Sequence, residues 1–308
     1  MAGFAPAGAE AGLFCSATEA ALRSFQSDRG LPDHGVCDEL TWQVVVEASW
    51  KLGDRLLMLA APNLRGDDVS ELQALLARIG FDSGRVDGIF GPSTAHAVED
   101  FQHNCGVSVD GVCGPDTIRA LQVLNRQTGT GPGVSTLREL VQLDSRALAD
   151  LRIVVGQFGG LSPLSRRLVQ ALRHRSATVV ASDEPDASAQ AAAANRFAAT
   201  LYIGFESKPG TTPLICFYRV PQFESSGGRS LAERIADACG RRSGLVRPTV
   251  EGMRLPVLRE TRMPAVLITV GSVQATVDRA AELVEAVTDG LESWARSPGL
   301  SPRVDGIT

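Results

Sequence analysis

The chain has 308 residues, of which 44% are hydrophobic and 21% charged, and its net charge at pH 7 is −5. This length is enough for two or three domains with separate hydrophobic cores. The modest negative charge argues against nucleic-acid binding, and no apolar run reaches the roughly 18 residues of a membrane-spanning helix. We therefore expect neither nucleic-acid binding nor membrane insertion.

The N-terminal segment differs from a secretory signal peptide, because its first 22 residues hold no Lys or Arg and no continuous apolar region. The six cysteines are scattered without a CxxC pair, which favours reduced thiols over a disulfide scaffold. A loose group of His96, His103, Cys105 and Cys113 lacks the tight spacing of a zinc site, so we expect packing or surface roles for it. These features predict a cytoplasmic protein.

An internal repeat occupies the first 125 residues. Shifting the chain by 76 positions aligns ATEAALRSFQSDRGLPDHGVCDELTW with STAHAVEDFQHNCGVSVDGVCGPDTI without a gap. Phe25 then falls on Phe101 and Cys37 falls on Cys113. Coincidences of this kind indicate a duplicated structural unit.

The second copy has the clearer helix signals. Val69, Leu72 and Leu76 form one apolar stripe, and VDGIFGPST and VDGVCGPDT each join an Asp-Gly turn to a proline-led helix start. The sequence predicts a three-helix bundle over residues 61–126. In the first copy, over residues 1–60, the equivalent of the first helix falls before Met1, so we expect that bundle to be incomplete at its N-terminus.

This pattern resembles the small peptidoglycan-binding domain that accompanies bacterial cell-wall hydrolases. The resemblance implies a groove for glycan or peptide, and its candidate binding residues are Asp87, Phe101, Gln102 and Asp110. Turn chemistry and core packing explain the same four residues fully, so we favour a structural role for them, and ligand binding stays open as what the resemblance implies.

A linker at 127–147 begins with QTGTGPGVST, whose Gly and Pro residues interrupt helices and strands. Beyond it, strand and helix patterns alternate. RIVVG, ATVVAS, TLYIGFE, PLICFYRV and AVLITVG are typical strands, and the segments between them have helical periodicity. One long final helix is expected, with a stripe of Val277, Ala280, Val284, Val287 and Leu291. The alternation predicts a three-layer α/β domain with a mostly parallel sheet over 148–297, followed by a tail at 298–308.

The first strand of this domain ends in the glycine-rich stretch LRIVVGQFGGLSP. A dinucleotide fold needs GxGxxG at this place and a P-loop needs GK[ST], and the stretch contains neither pattern. Three segments, IVVGQFGG, AANRFAATLYIGFES and LPVLRETRMPAVLITVGS, instead resemble the type-3 zinc-dependent N-acetylmuramoyl-L-alanine amidases. That family implies a zinc ion held by two His and one Glu, with a further Glu as general base.

The positions that the resemblance assigns to this chemistry carry other residues. Phe158 stands at the first His, Glu206 at the second His and Thr269 at the catalytic Glu. The segment that would supply the ligand Glu is largely missing, since the chain passes from Gly160 to the helix at Pro163 within three residues. We therefore expect no catalytic residues, no metal ligands and no cofactor, although zinc is typical of the family.

Together these features resemble the catalytically inactive, cytoplasmic amidase-like regulators of peptidoglycan synthesis found in actinobacteria. The resemblance implies a scaffold that binds enzymes of precursor synthesis, chiefly the enolpyruvyl transferase of the first committed step, and the flippase of the lipid-linked precursor. Peptidoglycan fragments or precursors are further expected ligands. Two alternatives stay open: an N-acetylmuramoyl-L-alanine amidase with a rearranged metal site, and a muropeptide sensor without a protein partner.

Overall fold

A computed structural model describes residues 12–125, 147–221 and 223–297. The chain divides into two compact units, one formed largely by residues 1–138 and the other largely by residues 139–308. The expectations about residues 1–11, the linker and the C-terminal tail fall, apart from residue 147, outside the described residues.

The first unit is helical. Its helices are α1 (Ser16–Asp28), α2 (Glu39–Glu47), α3 (Asp67–Arg78), α4 (Pro92–Cys105) and α5 (Pro115–Asn125). The second copy of the repeat is the predicted three-helix bundle, and its core includes Leu72, Leu76, Val98, Phe101 and Leu121, all fully buried. The first copy has two helices within the described residues, around a smaller core. Of all helices in the described ranges, none combines the length and the hydropathy needed to cross a membrane.

The second unit alternates strands and helices. Its strands are β1 (Arg152–Phe158), β2 (Thr178–Ser182), β3 (Leu201–Ser207), β4 (Leu214–Val220), β5 (Phe223–Glu224), β6 (Thr249–Met253) and β7 (Ala265–Val270). Its helices are α6 (Ser162–Arg173), α7 (Ala187–Arg196), α8 (Ser226–Gly240), α9 (Pro256–Glu260), α10 (Val273–Asp278) and α11 (Ala280–Arg296).

The strands form one mixed sheet in the order β2-β1-β3-β7-β4-β5, with β6 paired to β4. β1 pairs in parallel with β2 and β3, β3 with β7 and β4 with β6, whereas β4 and β7 are antiparallel. Every residue of β7 is buried, which is typical of a central strand covered on both faces. The predicted fold class, helical repeats followed by an α/β domain with a mostly parallel sheet, is therefore correct.

One face of the sheet packs against α6, α8 and α11. Ile153 and Val155 of β1 meet Leu168 of α6, Ile235 of α8 and Val287 of α11 in a single apolar core. A Cβ on Gly290 of α11 would lie 2.8 Å from the Cα of Ile235. The absence of a side chain at this position lets the two helices approach closely.

The prediction of one long final helix is wrong in its first turns. The backbone at Arg279, with φ −117° and ψ 18°, leaves the helical conformation and separates α10 from α11. Val277 lies in α10 and is 39% exposed, so it is outside the apolar stripe that Val284 and Val287 form.

Candidate functional site

The three positions aligned with zinc chemistry lie side by side at one edge of the sheet. Phe158 of β1 is the register partner of Glu206 of β3, which is the partner of Thr269 of β7. Register partners in parallel strands share a face, so the three side chains form one row at the carboxyl ends of their strands. Phe158 is half-buried, the Glu206 side chain is 24% exposed and Thr269 is 3% exposed.

Two glycines direct the chain away from the end of β1. Gly159 and Gly160 have φ values of +82° and +83°, in the region that favours glycine. A Cβ on Gly159 would lie 3.3 Å from the Cβ of Ser207, so the ends of β1 and β3 approach closely. Because α6 begins at Ser162, only Leu161 separates the second glycine from the helix. A long ligand-bearing loop has no place here.

The Glu206 carboxylate has two partners at the same oxygen. Its Oε2 lies 3.0 Å from Nζ of Lys208, and the Thr269 hydroxyl donates to it over 3.5 Å. Lys208 is absent from the sequence-based candidates, although its spacing of two from Glu206 places both on one face of the chain. Its ammonium group neutralises the carboxylate that the alignment places at a metal ligand.

The donor set does not fit zinc. Protein zinc sites use imidazole, thiolate and carboxylate groups, whereas Phe158 has no lone pair and Thr269 offers only a hydroxyl. Nearby, burial and then the Glu251 carboxylate raise the pKa of the Cys216 thiol to about 12, so it stays protonated. Within the described ranges, no group of three or more His, Cys, Asp or Glu side chains is placed to hold a metal ion.

A buried hydrogen-bond network lies beside the row of Phe158, Glu206 and Thr269. It is next to Gly156, two residues before Phe158 on β1, and includes Tyr202, four residues before Glu206 on β3. The Tyr202 hydroxyl donates to Oε1 of Gln190 over 2.7 Å, and Nε2 of Gln190 donates to the Gln157 carbonyl over 3.1 Å. Burial raises the pKa of Tyr202, which therefore remains a protonated donor. A Cβ on Gly156 would overlap with both the Tyr202 hydroxyl and the Gln190 amide oxygen. Gly156 thus makes room for the network.

In the helical unit, Phe101 is fully buried and Gln102 is 1% exposed. The Gln102 Oε1 accepts from the N–H groups of Asp110 and Gly111, and its Nε2 lies 2.7 Å from Oδ1 of Asp110 and 3.0 Å from Oγ1 of Thr117. These contacts tie the Asp-Gly turn to the two flanking helices. The geometry gives the candidates a structural role, and their role in ligand binding stays a prediction.

The same arrangement occurs once more within the second copy. Gln73 of α3 accepts from the N–H groups of Asp87 and Gly88, and its Nε2 lies 2.9 Å from Oδ1 of Asp87 and 3.1 Å from Oγ1 of Thr94. Asp87, the remaining binding candidate, therefore has the same partners as Asp110. No single shift along the sequence aligns this turn with that of Gln102, because its glutamine and threonine are separated by 21 positions instead of 15.

In the first copy a histidine replaces the aspartate. Gln26 accepts from the N–H of Gly35, and Nδ1 of His34 accepts from the N–H of Val36 over 3.1 Å. The other ring nitrogen of His34 lies 3.2 Å from Oδ2 of Asp38. One imidazole nitrogen thus takes the acceptor role that Asp110 fills with a carboxylate oxygen.

The loose group of His and Cys residues lacks the exposure pattern of a metal site. The His96 side chain is 73% exposed on α4, near the carboxylates of Glu99 and Asp100. Cys113 is fully buried, and burial raises the pKa of its thiol to about 12. His103 is exposed and Cys105 half-buried.

Comparison with known proteins gives matches to both units. The family model of the peptidoglycan binding domain matches residues 2–45 and 65–121. N-acetylmuramoyl-L-alanine amidase CwlM of Mycobacterium tuberculosis is 33% identical over 318 residues, covering 91% of this chain and 78% of its own length. The spore cortex-lytic enzyme of Oceanobacillus iheyensis is 36% identical over 77 residues, covering 24% of this chain and 27% of its own length.

Two solved amidase structures align with part of the chain. AmiC2 of Nostoc punctiforme is 18% identical, with a TM-score of 0.38, and covers 46% of this chain and 96% of its own. Ami1 of Mycobacterium smegmatis is 12% identical, with a TM-score of 0.41, and covers 47% of this chain and 96% of its own.

The helical repeats and the mixed sheet define a protein that joins a peptidoglycan-binding region to an amidase-like α/β domain. On the extent and identity of its match to CwlM, the chain belongs to the N-acetylmuramoyl-L-alanine amidase family.

Proposed function

We propose that this protein is a non-catalytic member of its family that acts as a regulator or scaffold in peptidoglycan biosynthesis. The row of Phe158, Glu206 and Thr269 supports the proposal, because it offers no imidazole and its one carboxylate is paired with Lys208. Zinc-dependent hydrolysis needs a metal-activated water and a group that takes up its proton. A threonine hydroxyl is not a base near neutral pH.

The proposed partners follow from the family resemblance. They are the enolpyruvyl transferase of the first committed step and the flippase of the lipid-linked precursor, with peptidoglycan fragments or precursors as ligands of the helical repeats. Binding to these partners needs no zinc and no other cofactor. The proposal places the protein in the cytoplasm, where soluble precursors are made.

Zinc content and amide cleavage test the non-catalytic assignment. The purified full-length chain is analysed for bound zinc by mass spectrometry and assayed on muropeptides, with Ami1 of Mycobacterium smegmatis as the positive control. We expect no stoichiometric zinc and no cleavage, because the row lacks the ligands and the base. Stoichiometric zinc together with turnover would contradict the proposal.

Peptidoglycan hydrolysis through a rearranged metal site is the second candidate function. The amidase name of the relative CwlM favours it, at 33% identity over 91% of this chain. Such a site would need ligands other than Phe158 and Thr269. The zinc and cleavage assays decide between the two functions.

A second experiment tests the regulatory role itself. The turnover of purified enolpyruvyl transferase is measured with and without this protein, and complex formation is followed by size-exclusion chromatography with light scattering. We expect a complex and a changed rate. Muropeptide binding by calorimetry, without any effect on the transferase, would favour the sensor instead.

A further inference from the structure

The site that does not fit zinc carries a cation of its own. Nζ of Lys208 lies 3.0 Å from Oε2 of Glu206, the carboxylate at the position of a metal-binding His. The chain has only two lysines, Lys51 and Lys208, among its 30 basic residues. One of these two compact ammonium charges therefore stands at the degenerate metal position, in a chain that otherwise uses arginine.

The backbone fixes Lys208 in this position. Its N–H donates to the Val270 carbonyl over 2.9 Å, which extends the pairing of β3 with β7 beyond the end of β3. Lys208 therefore continues the strand and lies on the same face as Glu206. The Lys208 side chain is 44% exposed and the Glu206 side chain 24%, so the pair lies at the rim of the sheet edge.

A half-buried carboxylate such as that of Glu206 loses part of its hydration, and a nearby positive charge offsets that loss. A metal ion and an ammonium group both meet this need, but two cations next to the same oxygen repel each other strongly. The Thr269 hydroxyl occupies the same oxygen, Oε2. A divalent cation that bound at Oε2 would therefore have to displace both partners.

We propose that Lys208 is a built-in substitute for the metal: its ammonium group neutralises Glu206 and keeps divalent cations away from this edge of the sheet. The inference rests on the proposed function, since it presupposes a site without zinc. It extends that function by assigning the rejection of cations to a residue outside the aligned ligand set.

The ion pair is tested by NMR of lysine side chains in the full-length protein. Selective isotope labelling of lysine gives one set of side-chain signals for Lys51 and one for Lys208. The set that disappears in the Lys51→Arg variant belongs to Lys51. Glu206→Gln should shift the Lys208 signals and leave those of Lys51 in place. Glu292→Gln, which removes a carboxylate paired with Arg175, is the matched control and should shift neither. Lys208 signals that do not respond to Glu206→Gln would overturn the proposal.

Rejection of cations is tested by zinc titration of full-length variants. Phe158→His supplies an imidazole next to Glu206, and we compare this variant with Phe158→His/Lys208→Met. Removing the ammonium should tighten zinc binding by at least about tenfold, the size of effect that outer ligand partners have on metal affinity. The triple variant Phe158→His/Lys208→Met/Glu206→Gln should lose this gain in zinc affinity. The double variant Phe158→His/Lys208→Arg, which keeps a positive charge, should not show the gain.

Equal zinc affinities of Phe158→His with and without Lys208→Met would overturn this inference and leave the proposed function intact. Stoichiometric zinc together with amide cleavage by the unmodified protein would instead overturn the proposed function. Circular dichroism of each variant shows whether it is folded, and the NMR comparison, made with the isosteric Glu206→Gln, does not depend on the added histidine.

Discussion

Gly156 is a single residue on which the packing beside the candidate site depends. It precedes Phe158 on the same face of β1, and its missing side chain leaves space for the contact between Tyr202 and Gln190. Both side chains are fully buried, so a lost hydrogen bond there would not be replaced by one to water.

We expect Gly156→Ala to lower the free energy of unfolding of the α/β unit by about 1–3 kcal/mol, because the added methyl group overpacks the network. Gly271→Ala is the matched control, since nothing lies within 4 Å of its Cβ position and its φ is not left-handed. Urea denaturation measures both. Equal stability of the two variants would show that the network adjusts without cost.

The sequence predicts which residues form the site, but only in part how they interact. The alignment with Phe158, Glu206 and Thr269 identifies three positions that the register does bring together. The ion pair with Lys208 could not be predicted, because it depends on where a flexible side chain folds back at the end of β3. A spacing of two residues on a strand is compatible with the contact and does not require it.

The turns that are held by Gln26, Gln73 and Gln102, here called the glutamine-centred turns, connect neighbouring helices of the helical unit. Each buried amide joins the turn backbone to the N-terminal threonine region of the next helix, as Gln102 does with Gly111 and Thr117. Since a side-chain amide has two acceptor lone pairs and two donor hydrogens, one glutamine satisfies several buried groups.

We expect Gln102→Met to destabilise the second repeat by about 1–3 kcal/mol, because the N–H groups of Asp110 and Gly111 lose their acceptor. Hydrogen exchange of the Gly111 amide, followed by NMR, should become faster. Gln122→Met on the exposed side of α5 should leave that rate unchanged. Unchanged exchange in Gln102→Met would mean that the turn is held by other contacts.

Elements with strong apolar patterns were predictable, and elements without them were not. The strand patterns of β1 to β4 and β7 are long and apolar, and the structure contains each of these strands. β6 carries Glu251 and Gly252 and is at most half-buried, so it has no such pattern. The break before α11 escaped prediction because Val277 fits the helical period of Val284 by spacing alone, although its side chain is exposed.

At the scale of the whole molecule, the six cysteines report on the folding of both units. All six are free within the structure, and repeat-equivalent positions differ, since Cys37 is exposed and Cys113 buried. Burial raises the pKa from an ordinary value of 9.0 to about 12 for Cys113 and Cys216 and to about 11 for Cys239. The buried thiols therefore stay protonated in the folded protein.

We expect iodoacetamide at pH 8 to modify Cys37 readily, whereas Cys113, Cys216 and Cys239 react only after unfolding; peptide mass spectrometry identifies the sites. Modification of Cys113 as fast as Cys37 under native conditions would contradict the described packing.

The raised thiol pKa values also predict a contribution to the free energy of unfolding that is complete below pH 9 and is lost as the pH rises towards 12.

The glutamine-centred turns also differ in length. From Gln26 to Thr41 and from Gln102 to Thr117 the separation is 15 positions, whereas from Gln73 to Thr94 it is 21, with equivalent hydrogen bonds at both ends. The same hydrogen-bond arrangement thus tolerates connections that differ by six residues between the glutamine and the threonine. The two shorter turns are accordingly places where a short peptide tag can be inserted, as a handle for capture or labelling that leaves the α/β unit unmodified.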